Sequence, residues 1–156
     1  MLCRSVFWTL YSSFVFSSAA QYAVRATAYL GSLEQDGFVP ARSIAGELNI
    51  PPTFLSKVLR QLVDAGILSA YRGPTGGVRL ARPASQVSVR QIVEAIDGDA
   101  LFTECILGLP GCGNRKPCPM HEAWAVHRSA LAEEFERQTV DTLSTAYTLG
   151  DLRLGP

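Results

Sequence analysis

The sequence predicts a mainly α-helical chain with one small β-hairpin, and three observations carry that expectation. Three consecutive segments in the first half place apolar residues at helical spacing. Two short strand-like runs then flank a Gly-Pro-Thr-Gly-Gly turn, and a charged stretch near the C-terminus has the pattern of one long helix.

In the first segment, Ala20, Ala23, Val24, Ala28, Leu30 and Leu33 share a face, and Ser17 or Ser18 can accept from the unpaired N–H groups at its start. Asp36-Gly37 breaks it. A short second helix over residues 43–50 turns Ile44, Ala45 and Leu48 inward, with Asn49 suited to the left-handed closing residue. The third begins at Pro51-Pro52, because proline loses nothing in a first turn whose N–H groups lack helical partners. It runs through Phe54, Leu55, Val58, Leu59 and Leu62 at helical spacing and ends at Ala65-Gly66. Residues 67–72 and 78–82 form the strands, and Pro83 stops the second. Helix, helix, helix, hairpin is the order of a winged helix-turn-helix.

Beyond it, Ser88 starts a helix through Ile92, Val93 and Ile96 to Gly98. Residues 99–120, with Gly108, Pro110, Gly111, Gly113, Pro117 and Pro119, are expected to form a long irregular loop, the kind that usually carries function. One last helix is expected over residues 120–147, its sparse stripe of Trp124, Leu131 and Phe135 suited to a partner helix. Thr148-Leu149-Gly150-Asp151 resembles a capping box that opens a short terminal turn. The organisation read from these segments is an extension over 1–15, a DNA-binding unit over 16–83, a linking helix and cysteine loop over 84–119, and a dimerisation helix with its tail over 120–156. Residues 1–16, followed by the small residues Ser17, Ser18, Ala19 and Ala20, resemble a secretory signal, but cleavage after Ala20 would cut the first helix. An over-long gene model with initiation near Val15 is the plainer reading, and the run is too short to span a membrane.

With 47% apolar and 18% charged residues, the chain has the composition of a folded protein. Net charge is zero, but residues 17–83 carry a balance of plus three and residues 84–156 one of minus four. The basic half is the one fit to face a polyanion. In a helix-turn-helix the second helix of the motif enters the major groove with its N-terminal residues at base edges. Here Pro52, Thr53, Ser56, Lys57 and Arg60 occupy those positions, hydroxyls for base edges and cations for phosphate or guanine. Arg72 with Gly76 and Gly77 forms the wing, where glycine allows close backbone approach and arginine fits a narrow minor groove. The turn is no nucleotide loop, because the Lys-Ser/Thr ending is missing.

Of four cysteines, Cys105, Cys112 and Cys118 fall within fourteen positions, followed by His121. Cys3 lies outside this pattern. Three thiolates and an imidazole can hold a tetrahedral zinc or an iron–sulfur cluster. Tight Cys-x2–4-Cys knuckles typical of zinc are absent, and the longer gaps favour a cluster. A zinc-stabilised interaction module or a small redox protein would need neither the wing nor the third helix, and no nucleophile–base pair for an enzyme is visible.

The segments AAQYAVRA, IPPTFLSKVLRQLVDAGIL, YRGPTGGVRLARP, the Cys…Cys…Cys-x2-His loop and the closing TLGDL resemble the Rrf-type winged-helix regulators, the family of the IscR- and NsrR-like iron–sulfur proteins. The resemblance spans residues 16–152. It implies a cytoplasmic homodimer that binds palindromic, double-stranded promoter DNA as a repressor or other regulator, has no membrane part, and pairs through its long C-terminal helix. It implies Cys105, Cys112, Cys118 and His121 as ligands of a cluster, 2Fe–2S favoured and 4Fe–4S second, with zinc or no metal as the alternative. Two details differ from the family pattern. The first cysteine gap is six where the IscR branch has five, and Gln21 stands where other branches place a ligating carboxylate.

Overall fold

The computed structural model describes residues 16–33, 37–150 and 153–154, so the extension over 1–15, Cys3 and Asp151 lie outside the described residues. The first half contains α1 (Ser18–Ser32), α2 (Ala41–Leu48), α3 (Pro52–Asp64), β1 (Leu68–Tyr71) and β2 (Gly77–Leu80). A single 3₁₀ turn, Ala84–Gln86, leads to α4 (Val89–Asp97), α5 (Ala100–Thr103), α6 (His121–Arg137) and α7 (Val140–Thr148). The ends follow local chemistry. Ser17 caps α1 through the Ala20 N–H, and Asn49 closes α2 in the left-handed region at φ 50°. Ser88 and Gln91 form a reciprocal capping box on α4, whose C-terminus is closed by Gly98 at φ 78°.

β1 and β2 pair antiparallel with Leu68 opposite Leu80 and Tyr71 opposite Gly77. Val39 adds a third, one-residue rung: its N–H donates to Val78 O at 2.8 Å and its carbonyl accepts from Val78 N–H at 2.9 Å. The hairpin is therefore fixed to the segment between α1 and α2. Gly77 makes this contact feasible, since a Cβ there would lie 2.3 Å from the Val39 carbonyl carbon and oxygen.

Ile44, Leu48, Leu55, Leu62, Ile67 and Leu68 fill the main core at 2% exposure or less. Each contributes about 1.5–3 kcal/mol of apolar burial. A second cluster joins Val89, Val93 and Phe102 to the half-buried Phe16, Leu131 and Phe135. There Phe135 meets Phe16 and Phe102 edge-on, with ring centroids 5.9 and 5.7 Å away.

Several expectations are corrected. The last helix is two helices, because Gln138 and Thr139 leave helical geometry to pair with the segment before α4. Val89 N–H donates to Gln138 O at 2.8 Å and Val140 N–H to Val87 O at 2.9 Å, while Thr139 and Thr142 cap the new helix reciprocally. α7 then folds back onto α1, where a Cβ on Gly31 would stand 2.7 Å from Val140 Cγ1. The stripe on α6 is also used within the chain, Leu131 and Phe135 in the second cluster, although α6 has no fully buried residue and leaves Val126 69% exposed. The expected opening of a turn at Thr148 is instead the end of α7, with Gly150 at φ 76°. The 99–120 segment is not wholly irregular, as it contains α5 and a tight turn joining Gly113 and Lys116. No helix among the described residues is long and apolar enough to cross a membrane.

Candidate nucleic-acid interface and metal centre

α3 begins on Pro51, whose carbonyl accepts from the N–H groups of Phe54 and Leu55. Burial of Leu55, Val58, Leu59 and Leu62 leaves Thr53, Ser56, Lys57 and Arg60 on the exposed side of the helix. Ser56 Oγ donates to Pro52 O at 2.8 Å on the exposed side of the helix. Arg60 has only a loose, exposed ion pair with Asp64 at 4.0 Å, so little stability is lost if its guanidinium turns elsewhere. Phe54, 43% exposed, packs edge-on against Tyr22. At the hairpin, Arg72 is exposed beside Gly73, and Tyr71 leans on Phe38 with centroids 5.6 Å apart. Gly76 closes the tip, because a Cβ there would be 2.6 Å from Tyr71 O.

The cysteine loop closes on itself. The Sγ atoms of Cys105, Cys112 and Cys118 all lie within 4.8 Å of one another, and Cys105 and Cys118 are 3.6 Å apart. Cys112 Sγ is 3.4 Å from His121 Nδ1, so the structure brings the three sulfurs together and sets the imidazole against one of them. Tetrahedral coordination with Zn–S bonds near 2.3 Å separates sulfurs by about 3.8 Å. Thiolate, thiolate, thiolate and imidazole also form a donor set for iron–sulfur centres. α6 holds the loop: His121 N–H donates to Cys118 O, Trp124 Nε1 to Glu104 O at 2.9 Å, and Arg128 to the carbonyls of Thr103 and Glu104 at 2.9 and 3.0 Å. A cavity of about 260 Å³ is walled by Cys105, Cys112, Asn114, His121, Trp124 and Arg128.

The model of the Rrf2 family, described as iron-dependent transcriptional regulators, matches residues 16–146. The chain belongs to the Rrf2 family. This Rrf2 regulator is 30% identical over 131 residues to a helix-turn-helix transcriptional regulator of Aquifex aeolicus, covering 83% of this chain and 90% of that one. It is 28% identical over 148 residues to the transcriptional regulator IscR of Yersinia pseudotuberculosis, again over 83% and 90% of the two chains. Among solved structures, T. potens IscR matches with TM-score 0.70 at 20% identity, over 90% of this chain and 93% of that one. CymR, the global cysteine regulator of B. subtilis, matches with TM-score 0.69 at 22% identity, over 83% and 95%. Those two structures share the winged-helix fold with this regulator.

Sequence reasoning missed Arg128, Asn114 and Arg25 in this Rrf2 regulator, and placed Trp124 on a partner-facing stripe where it instead binds Glu104 O. Trp124 and Arg128 lie three and seven positions after His121, hence on its face of α6, a spacing that could have marked them. Asn114 is two positions past Cys112, and its side chain meets the His121 ring. Arg25 had no sequence signal: it donates to Leu48 O at the end of α2 and to Leu154 O, joining residues far apart in the chain.

The thiols are not equivalent. Backbone N–H groups of Leu109 and Leu107 pull the Cys105 pKa down to about 7, whereas burial pushes Cys118 above the usual thiol value. Cys105 therefore becomes thiolate as pH rises through about 7. In metal-free protein near pH 7, iodoacetamide is expected to alkylate Cys105 before Cys118, as read by peptide mass spectrometry. Equal rates at the two would contradict this ordering.

Proposed function

We propose that this regulator is a cytoplasmic homodimer whose affinity for palindromic promoter DNA is set by an iron–sulfur cluster on Cys105, Cys112, Cys118 and His121. The observation that carries the reading is the convergence of three sulfurs within 4.8 Å with His121 Nδ1 beside them. Such a cluster, when bound, supplies sensitivity to oxygen, nitric oxide or iron supply. Thr53, Ser56, Lys57 and Arg60 face the major groove, and Arg72 with Gly76 and Gly77 faces the backbone or minor groove. The two α3 helices of a dimer would dock in half-sites roughly 34–36 Å apart.

The route between the two sites runs along α6. His121 stands at its first turn, Trp124 and Arg128 clamp the carbonyls before Cys105, and Phe135 packs on Phe16 and Phe102. Near the end of α6, Glu136 accepts from the Ser88 hydroxyl at the start of α4. The exposed Val126 side of α6 is the surface offered to the second copy. An anaerobic absorption spectrum with iron, sulfide and zinc assays tests the cofactor: equal iron and sulfide support it, and no metal after reconstitution opposes it. A second reading, one zinc in the same ligand set, is supported by the 3.6 Å sulfur separation, close to a tetrahedral edge. A colourless protein with one zinc selects it.

Replacing Lys57 or Arg60 by Ala is expected to weaken binding to specific and unrelated duplexes alike. The salt slope should fall by about one for each phosphate the variant no longer neutralises. Titrations across salt concentrations read this directly. An unchanged slope in both variants would remove these cations from the interface.

A further inference from the structure

We propose that Asn114 is the positioning residue that decides which nitrogen of His121 faces Cys112 and the cysteine cluster behind it, making Nδ1 the ligand atom. This rests on the reading of Cys105, Cys112, Cys118 and His121 as one ligand set. Asn114 Oδ1 lies 3.1 Å from His121 Nε2, while His121 Nδ1 lies 3.4 Å from Cys112 Sγ. An amide oxygen only accepts, so with Oδ1 facing the ring it is Nε2 that carries the hydrogen. In a neutral imidazole the lone pair is then on Nδ1, on the side of Cys112 Sγ. The opposite tautomer would set a ring lone pair against an amide oxygen.

Two observations separate this role from that of an ordinary turn asparagine. The turn closes without the Asn114 side chain, through Lys116 N–H donating to Gly113 O at 3.0 Å. That side chain reaches His121, seven positions away, instead of its own backbone. The imidazole is thereby held from both ends, its backbone by the His121 N–H to Cys118 O bond and its ring by Asn114. A ring already in its binding tautomer and orientation gives up less freedom when it meets a metal.

Cobalt(II) titration of the metal-free protein, followed by its thiolate and ligand-field absorption, tests the assignment alongside long-range ¹H–¹⁵N spectra of His121. Asn114→Leu is expected to raise the cobalt Kd about 10–100-fold and Asn114→Asp to restore it. Without metal, wild-type His121 is expected to carry its proton on Nε2, and the leucine variant to show mixed tautomers. Residue 114 is exposed, so circular dichroism should show both variants folded. A leucine variant binding cobalt within about twofold of wild type, or a wild-type ring protonated on Nδ1, overturns the role of Asn114 while leaving the ligand set intact. A wild-type protein that takes up neither cobalt nor a cluster overturns the ligand set and this inference with it.

Discussion

Cys112→Ala is expected to abolish cofactor binding while leaving the fold intact. Cys112 is half-buried in the loop and contributes to neither apolar cluster, so its loss costs little stability. It does remove one of three sulfurs and the group nearest His121 Nδ1. A site coupled to the DNA face by about 1–3 kcal/mol changes operator affinity about 5–150-fold on cofactor binding or loss. Wild-type protein should therefore show two affinities, with and without reconstituted cofactor, and the variant only one. Fluorescence anisotropy on a duplex selected from a random pool measures both under anaerobic conditions. If the variant retained the wild-type pair of affinities, the cysteine loop would not be the sensor.

Gly77→Ala is expected to destabilise the protein and weaken DNA binding together. The added Cβ would fall 2.3 Å from the Val39 carbonyl, which is backbone and cannot swing aside. Either the Val39 rung breaks, with its two hydrogen bonds to Val78, or the hairpin moves. Overpacking of this kind costs about 1–3 kcal/mol, which lowers Tm by about 2–12 °C for a chain of this size. Arg72→Ala makes the contrast, because Arg72 is exposed and its loss should spare Tm while reducing DNA affinity. Calorimetry and binding on the same preparations separate the two effects. A Gly77→Ala protein that melts like wild type yet fails on DNA would place Gly77 at the nucleic acid and not at Val39.

The sequence by itself determined the winged-helix order, the caps of α1, α2 and α4, and the grouping of three cysteines. These signals are local: apolar spacing selects a helix, Ser17 and Ser88 cap within three residues, and Asn49 closes α2 through its own φ. The cysteine grouping was legible because the three thiols fall within fourteen positions, and a short loop can return them to one point. Tertiary structure alone decided the rest. The break at Gln138-Thr139 depends on Val87 and Val89, about fifty positions earlier, offering backbone partners that end the helix. Gly77 is required by Val39 and Gly31 by Val140, close approaches that no periodicity records. Arg25 joins Leu48 and Leu154 across more than a hundred positions. In each case the deciding partner is a backbone group or side chain brought near only by folding, and a linear pattern carries no information about that distance.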